Sequence, residues 1–274
     1  MFRRDERMIQ IKTDAEIAVM RAAGLVVGRT LETLRAAVAP GVTTAELDAI
    51  AEESIRQAGA VPSFKGYQGF PASICASVNE EIVHGIPGPK ILREGDIVSI
   101  DCGAIVEGYH GDAAVTVAVG SVPAELLELI RVCEDAMWQG LAAVQQGGRL
   151  SDIGHAIETS ITSDGPYGIV REYTGHGIGT EMHQEPNVAN FGRPGRGPRL
   201  QKGLALAVEP MVNQGSRHTR LLDDGWTVVT ADGKHSAHFE HSVAVTEAGP
   251  WVLTALDGGA ARLGKRAAGS AALA

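Results

Sequence analysis

Four acidic side chains set in apolar, strand-like segments are the residues best suited to chemistry. Asp101 and Glu209 end two apolar runs, and Asp112 and Glu240 begin two others. An ionised carboxylate is costly to bury without compensation, and these runs contain no Lys or Arg. If the fold brings the four carboxylates together, their mutual repulsion requires a positive counter-charge. Two divalent metal ions are the natural source of that charge.

A histidine in a glycine-rich segment offers a fifth ligand. His176 lies within Gly175–Gly179, which reads Gly-His-Gly-Ile-Gly, and glycines allow a backbone to pass close to a site. Carboxylates combined with an imidazole suit Co, Mn, Fe(II) or Zn. The sequence contains no H-E-x-x-H motif, which excludes the commonest kind of single-zinc protease.

The acidic residues fall in an imperfect internal repeat. The segment that ends at Asp101 resembles the segment that ends at Glu209, 108 residues later. Downstream, Asp112 recurs as Glu240 with an offset of 128 residues. The histidines two positions before them recur in the same way, His110 as His238. Matching acidic positions in both halves predict that the two sets meet at one site.

Each half of the repeat predicts two helices followed by strands. In the first half, a capping box begins at Thr13 and a second helix begins at Thr43. In the second half, one helix begins at Pro123 and Ser151 caps the next. Alternating β-branched stretches follow each helix pair. The larger offset implies about 20 inserted residues, which a hairpin around Trp226 can supply.

These elements predict an α+β fold, with helices and an antiparallel sheet duplicated about a pseudo-twofold axis. We expect a single catalytic domain over residues 1–255, with halves of about 13–120 and 123–254. The final stretch, 256–274, is rich in Ala and Gly and predicts a flexible tail.

Composition narrows the class of protein. Hydrophobic residues make up 44% of the 274 residues, and the formal charge is −9, which argues against chain-wide attraction to DNA or to an anionic membrane. No apolar segment is long enough for a membrane span, and none follows the N-terminus as in a secretory signal. Three widely spaced cysteines suit a reducing compartment, so we expect a cytoplasmic protein.

Taken together, the motifs resemble those of the bacterial type I methionine aminopeptidases, whose fold is the duplicated α+β pita-bread fold. The resemblance covers about residues 12–254 and keeps both the order and the spacing of the motifs. It implies an enzyme that removes the initiator methionine from nascent proteins when the second residue is small. The segments that carry it are Asn79–Pro87, Ile100-Asp101, His110–Asp112, Gly175–Gly179, Glu209–Met211 and Phe239–Ser242.

The resemblance implies a ligand set and a mechanism. Two divalent ions would be bridged by Asp112 and Glu240, with His176 and Glu209 completing one site and Asp101 the other. In this two-metal hydrolysis, Glu209 would take a proton from the attacking water. The substrate's α-amine would bind the ion that Asp101 holds.

Two histidines would assist the reaction. His183 would stabilise the oxyanion, and His84 would hydrogen-bond either the scissile amide or the next residue.

A methionine side chain needs an apolar pocket that fits an unbranched thioether. By the same resemblance, this pocket is lined by Tyr67, Phe70, Cys75 and Trp226, together with Phe64 and Met182. Phe64, Phe70 and Met182 depart from the commonest bacterial pattern, which has Cys, Tyr and Phe there. Side-chain selectivity therefore follows from the resemblance less directly than the metal site does.

The expected partners are N-terminal methionyl peptides and nascent chains, and we expect a monomer. A basic loop, 193–202, carries three Arg and one Lys and predicts contact with ribosomal RNA. Two alternatives stay open. One is a proline-specific aminopeptidase on the same fold, and the other is a peptide-binding module without catalysis.

Overall fold

The computed structural model describes residues 9–268, and its first helices begin where capping is predicted. Helix α1 (Asp14–Ala37) follows Thr13, whose hydroxyl accepts from the Glu16 N–H while the Glu16 carboxylate accepts from the Thr13 N–H at 2.7 Å. Helix α2 (Thr44–Gln57) begins with the same reciprocal pair, Thr43 and Glu46. Both capping boxes satisfy backbone donors that a helix start leaves unpaired.

The second helix pair begins differently from the prediction at one point. Helix α3 (Ala124–Ala142) follows Pro123 as expected. Helix α4 (Leu150–Asp164) begins one residue before Ser151, so Ser151 is not its cap. Asp152 accepts the Arg149 backbone N–H at 2.7 Å instead, while the Ser151 hydroxyl accepts from the backbone of a facing loop. A short helix, α5 (Ala260–Leu263), comes near the end of the described chain.

The strands are short except for one central hairpin. Within residues 9–268 they are β1 (Val61–Pro62), β2 (Ile74–Val78), β3 (Glu81–Val83), β4 (Ile97–Val106), β5 (Tyr109–Ala118), β6 (Gly168–Ile169), β7 (Gly175–Gly177), β8 (Gln184–Val188), β9 (Ala205–Val208), β10 (Met211–Asn213), β11 (Thr219–Leu221), β12 (Val228–Thr230), β13 (Ser236–His238), β14 (Glu240–Thr246) and β15 (Gly249–Val252).

One antiparallel sheet joins the two halves of the repeat. In the described part of the chain it has nine strands, in the order β1-β4-β5-β14-β9-β7-β8, with β2 also paired to β4 and β15 to β14. Strands β5 and β14, one from each half, pair at the centre, with Glu240 opposite Ala114. Since Asp112 and Glu240 are equivalent in the repeat, this pairing places the pseudo-twofold axis between these two strands.

The repeat is not exact at the neighbouring strands. Asp101 pairs with Ala114 across β4 and β5, so an exact repeat would place Glu209 opposite Ser242. Ser242 pairs with Ala207 instead, a shift of two residues. Strand β9 stops before Glu209-Pro210, and a proline cannot donate to the ladder. The break leaves Glu209 outside the regular sheet, beside Glu240.

Two small sheets flank the large one. Strands β13, β10 and β6 form the first, and β11, β12 and β3 form the second. The β11–β12 hairpin, with Leu221 opposite Val228, confirms the insertion predicted around Trp226. This insertion holds Trp226 over the end of β3, one residue before His84.

Helix α1 packs directly on the central hairpin. Gly111 faces the backbone of Ala23 and Gly24, where an added Cβ would lie 2.7 Å from the Gly24 nitrogen. Only glycine allows so close an approach, one residue before Asp112. The helix therefore supports the strand that carries a candidate ligand.

Residues 256–268 are folded against the domain, although a flexible tail is predicted from residue 256. Leu263 and Ala267 are buried, and Arg262 donates to Asp135 at 2.5 Å. The predicted flexibility of this segment stays a prediction, and residues 269–274 lie outside the described part of the chain. Within residues 9–268, no helix combines the length and apolarity needed to cross a membrane.

Candidate metal centre and substrate cavity

A cavity of about 310 Å³ brings together every site residue predicted from the sequence. Its floor consists of four carboxylates, which we call the carboxylate floor: Asp101, Asp112, Glu209 and Glu240. Its outer part, the apolar wall, consists of Phe64, Tyr67, Phe70, Cys75, Met182 and Trp226. The three predicted histidines, His84, His176 and His183, lie between the two.

Strand pairing explains how the floor is assembled. Asp101 and Glu240 lie on either side of Ala114, their partner on the central strand β5. Asp112 lies two residues before Ala114 and so projects from the same face of the sheet. Asp101 lies inside β4 and not at its end, as the sequence had suggested, because β4 continues to Val106.

His176 approaches this floor from the adjoining strand β7. One ligand atom each from Asp112, His176 and Glu240 lies within 4.8 Å of the others. The His176 Nε2 also lies 3.4 Å from a Glu209 oxygen. The flanking glycine is needed here, since a Cβ on Gly175 would lie 2.3 Å from the Ala207 carbonyl oxygen.

Burial makes the charged form of each floor carboxyl unfavourable. It raises the pKa of Asp101 to about 7 and the pKa of Glu209 to about 8. Burial, followed by the negative charge of neighbouring carboxylates, raises the pKa of Asp112 and Glu240 well above their ordinary range. Desolvation and like charge both favour the protonated acid, and a bound cation would reverse this preference.

Unpaired polar atoms in the floor provide a test of whether a cation fits. Among residues 9–268, Asp101 Oδ1, Asp112 Oδ1 and Glu240 Oε1 are buried without a hydrogen-bond partner. Buried oxygens are ordinarily paired because an unpaired one costs about 1–3 kcal/mol. Three such oxygens around one imidazole form the donor set that divalent ions of the Mn-to-Zn series accept.

The two histidines predicted to assist the reaction differ in their surroundings. The Tyr67 hydroxyl lies 2.9 Å from His183 Nδ1, and the His183 ring stands 4.4 Å from the His176 ring. His84 lies near the rings of Tyr173 and Trp226, at 5.7 and 6.4 Å. Burial lowers the pKa of His84 to about 4, so its ring is neutral at pH 7.

The backbone at His84 is unusual, with φ at 61°, in the left-handed region. A non-glycine residue there costs free energy, and such residues cluster at functional sites. The conformation follows directly after β3 and turns the His84 ring into the cavity.

The apolar wall combines rings with thioether and thiol sulfur. Phe70 packs edge to face on Trp226, with ring centroids 5.1 Å apart. Phe64, Cys75 and Met182 are buried in the same cluster. Cys75 pairs with Asp101 across β2 and β4, so the wall meets the floor along one ladder.

Some cavity residues were not predicted from the sequence. Tyr173 and Thr174 directly precede Gly175, so their position beside the glycine-rich segment was an available signal. His238 was noted only as the repeat of His110. Its place two residues before Glu240 on an extended chain could have assigned it to the floor. The other unpredicted lining residues are Gln68, Val83, Glu172 and Met211.

The predicted basic loop lies outside the cavity. Arg193, Arg196 and Arg199 are exposed. Arg199 donates to the Gly147 carbonyl at 3.1 Å, and Lys202 bonds Asp14 at 3.1 Å. Two of the four cations therefore have local partners.

The fold and the site together define a metallopeptidase built on a duplicated α+β domain. The model of metallopeptidase family M24 matches residues 18–247, and the chain belongs to this family. Members of the family bind divalent metal, as the floor carboxylates require.

Comparison with individual proteins points to one branch of that family. The chain is 53% identical over 248 residues to a methionine aminopeptidase of Clostridium acetobutylicum, covering 90% of this chain and 99% of that protein. The crystal structure of a methionine aminopeptidase from Thermotoga maritima superposes with a TM-score of 0.89 at 42% identity, covering 90% of this chain and all of that one.

Proline-specific members share the fold at greater distance. An Xaa-Pro dipeptidase from Bacillus anthracis superposes with a TM-score of 0.71 at 27% identity. The match covers 91% of this chain but only 63% of the dipeptidase. The aminopeptidase relatives, in contrast, are matched over nearly their whole length.

Proposed function

We propose that this chain removes the N-terminal methionine from polypeptides by metal-dependent hydrolysis, when the second residue is small. The observation that carries the proposal is the junction of two unlike surfaces in one cavity. The carboxylate floor can hold cations next to a scissile bond, while the apolar wall adjoins it through the Cys75–Asp101 pair. Relatives with this activity are matched over almost their entire length.

Asp112 and Glu240 would bridge two divalent ions, of which His176 and Glu209 complete one site and Asp101 the other. Their buried, unpaired oxygens support this assignment. The ions would supply the positive charge that lowers the pKa of the attacking water and stabilises the oxyanion. Co, Mn, Fe(II) and Zn all suit these ligands.

The protein's own groups would manage the protons. Glu209 reaches the edge of the cavity from outside the regular sheet, so its carboxylate can accept the proton of the attacking water. If the Tyr67 hydroxyl donates to His183 Nδ1, the His183 proton lies on Nε2 and can be donated to the carbonyl oxygen as charge develops. The neutral His84 ring, held between Tyr173 and Trp226, would hydrogen-bond the scissile amide or the following residue.

The wall would select the side chain. An unbranched thioether can lie between Phe70, Cys75 and Trp226, where apolar surface is buried and sulfur meets aromatic rings. With the side chain against Cys75, the α-amine is directed toward Asp101, the neighbour of Cys75 across the ladder. A chain with residues ahead of this amine would meet the floor, which limits cleavage to the first residue.

The remaining expectations concern the setting of the enzyme. We infer that it is a cytoplasmic monomer, in keeping with three free, buried cysteines. Size-exclusion chromatography with light scattering would show a mass near 28.7 kDa. A dimer mass would contradict the monomer.

The exposed Arg193 and Arg196 would contact ribosomal RNA where nascent chains emerge. Replacing both with Ala should weaken co-sedimentation with ribosomes and leave peptide cleavage unchanged. The control replaces two other exposed arginines, Arg29 and Arg220. Equal co-sedimentation of the two double variants would remove the idea.

The central test measures cleavage after chelation. Protein stripped of metal is supplied separately with Co, Mn, Fe(II) or Zn and assayed on Met-Gly-Met-Met and on peptides that begin Ala-Pro. We expect metal-dependent release of methionine and no cleavage of Ala-Pro. Cleavage of Ala-Pro alone would instead indicate the proline-specific activity. Metal binding without any cleavage would indicate a peptide-binding module.

A further inference from the structure

His238 is a buried imidazole in the carboxylate floor to which the five-ligand scheme gives no part. Its side chain is 1% exposed, and it lines the cavity. Among residues 9–268, its Nε2 has no hydrogen-bond partner, although it lies 3.5 Å from Glu209 Oε2. A buried ring nitrogen without a partner is as costly as the unpaired floor oxygens and requires the same kind of explanation.

The ring is also placed where a ligand would be. One ligand atom each from Glu209, His238 and Glu240 lies within 4.8 Å of the others, a second cluster beside the one formed with His176. The two clusters share Glu240. His238 therefore stands on the Glu209 side of the floor, on a different strand from His176.

The backbone of His238 is held firmly. Its N–H donates to the Thr116 hydroxyl at 2.9 Å, and that hydroxyl donates to the His238 carbonyl oxygen at 2.9 Å. Thr116 belongs to β5, the strand that also carries Asp112. Strand β13 pairs with β10 on the other side, with His238 opposite Met211. Metal ligands are held by supporting contacts of this kind.

The repeat supplies an internal comparison. His110 occupies the equivalent position in the first half, two residues before Asp112. Its Nδ1 lies 3.0 Å from the Ser63 hydroxyl, and it does not line the cavity. The same residue type at the same position is thus engaged by a protein partner in one half, while in the other its Nε2 is unpaired and faces Glu209.

We propose that His238 is a further nitrogen ligand, binding through Nε2 the ion that Glu209 and Glu240 hold. This proposal rests on the metal centre proposed above. It would give the centre two imidazoles and shift its preference toward ions that favour nitrogen, such as Co(II) and Zn(II), and away from Mn(II).

X-ray absorption on the Co(II)-loaded protein tests the assignment directly, because imidazole ligands produce a characteristic scattering pattern that can be counted. We expect two imidazoles per pair of ions in the unchanged protein and one in His238→Gln. The matched control is His110→Gln, which should keep two. The count in the unchanged protein decides the question even if a variant folds poorly.

Chelator competition gives an independent readout. Loss of the nitrogen ligand should weaken Co(II) binding by about tenfold or more in His238→Gln, with a smaller change for Mn(II). One imidazole in the unchanged protein, or equal Co(II) affinity in His238→Gln, would overturn the assignment of His238. Absence of Co(II) binding in the unchanged protein would overturn the metal centre itself, which is a separate result.

Discussion

The carboxylate floor and the apolar wall occupy the same cavity but treat burial in opposite ways. The floor holds three buried oxygens without hydrogen-bond partners among the described residues. In the wall, Phe70 and Trp226 gain contact and burial from each other. The wall therefore stabilises the fold while it recognises a side chain. The floor costs stability until a cation binds, so its residues are explained by binding and not by folding.

The largest effect that this comparison predicts is loss of activity when the floor is altered. Asp112→Asn should reduce methionine release about a thousandfold or more, because a lost metal interaction is worth several kcal/mol in the transition state. Stability without metal should hardly change, since the Asp112 pKa lies well above its ordinary range and the acid is already neutral at pH 7. Peptide assays and melting curves in chelator measure the two effects.

Ser63→Ala serves as the control for that variant, since it removes a buried hydroxyl that bonds only His110 outside the floor. It should keep its activity. Activity of Asp112→Asn within tenfold of the unchanged protein would show that the floor does not depend on this carboxylate.

The second prediction concerns stability against pH in the metal-free protein. The folded pKa values of Asp101 and Glu209 are raised to about 7 and about 8, so these groups keep protons that the unfolded chain has released. Stability should therefore fall as pH rises from about 6.5 to 8, by about 2 kcal/mol. Below that window the histidines act in the opposite direction, because burial lowers the pKa of His84 and His176, to about 4 and about 3.

Urea unfolding in chelator at pH 6.5 and pH 8 measures this slope. Glu209→Gln removes one titrating group and should flatten it, while saturating Co(II) should remove it. A stability that is constant or rises over this window would show that the floor carboxyls are compensated without metal.

The wall predicts a smaller, substrate-specific effect. Cys75→Phe fills the space next to Asp101 and should lower kcat/KM for methionyl peptides about 10- to 200-fold, the range for a mismatch in a hydrophobic pocket. Cys75→Ala is the control, because it leaves the space open. Co(II) affinity should be unchanged in both variants. If Cys75→Phe weakened Co(II) binding as much as cleavage, the wall and floor would not be separable.

The contrast between floor and wall also shows what sequence alone can predict. The repeat aligned Asp112 with Glu240 because residues two apart on a strand share a face, and the central pairing confirms that alignment. The same logic failed for Asp101 and Glu209, where the pairing differs by two residues. The break at Glu209-Pro210 depends on how the strands pair, which an offset between sequences does not reveal.

Residues brought in from elsewhere were the hardest to predict. Tyr173 contacts the site only because the chain after β6 folds back toward His84. Ser151 fitted a cap by residue type, but Asp152 accepts the cap N–H at the helix start. In both cases a tertiary contact decided between local patterns that were equally acceptable.

The smallest effect tests a contact that joins the wall to the catalytic groups. Tyr67 belongs to the apolar wall, yet its hydroxyl lies 2.9 Å from His183 Nδ1. Tyr67→Phe keeps the ring and removes the hydroxyl, so methionine binding should persist while His183 loses the group that places its proton on Nε2. We expect kcat to fall about fivefold with KM unchanged, in line with one neutral hydrogen bond of about 1 kcal/mol. Tyr109→Phe, which removes a hydroxyl bonded to Glu16 outside the cavity, should leave both constants unchanged. An increase in KM with constant kcat would instead place Tyr67 wholly in the wall, and the two regions would meet only through Cys75 and Asp101.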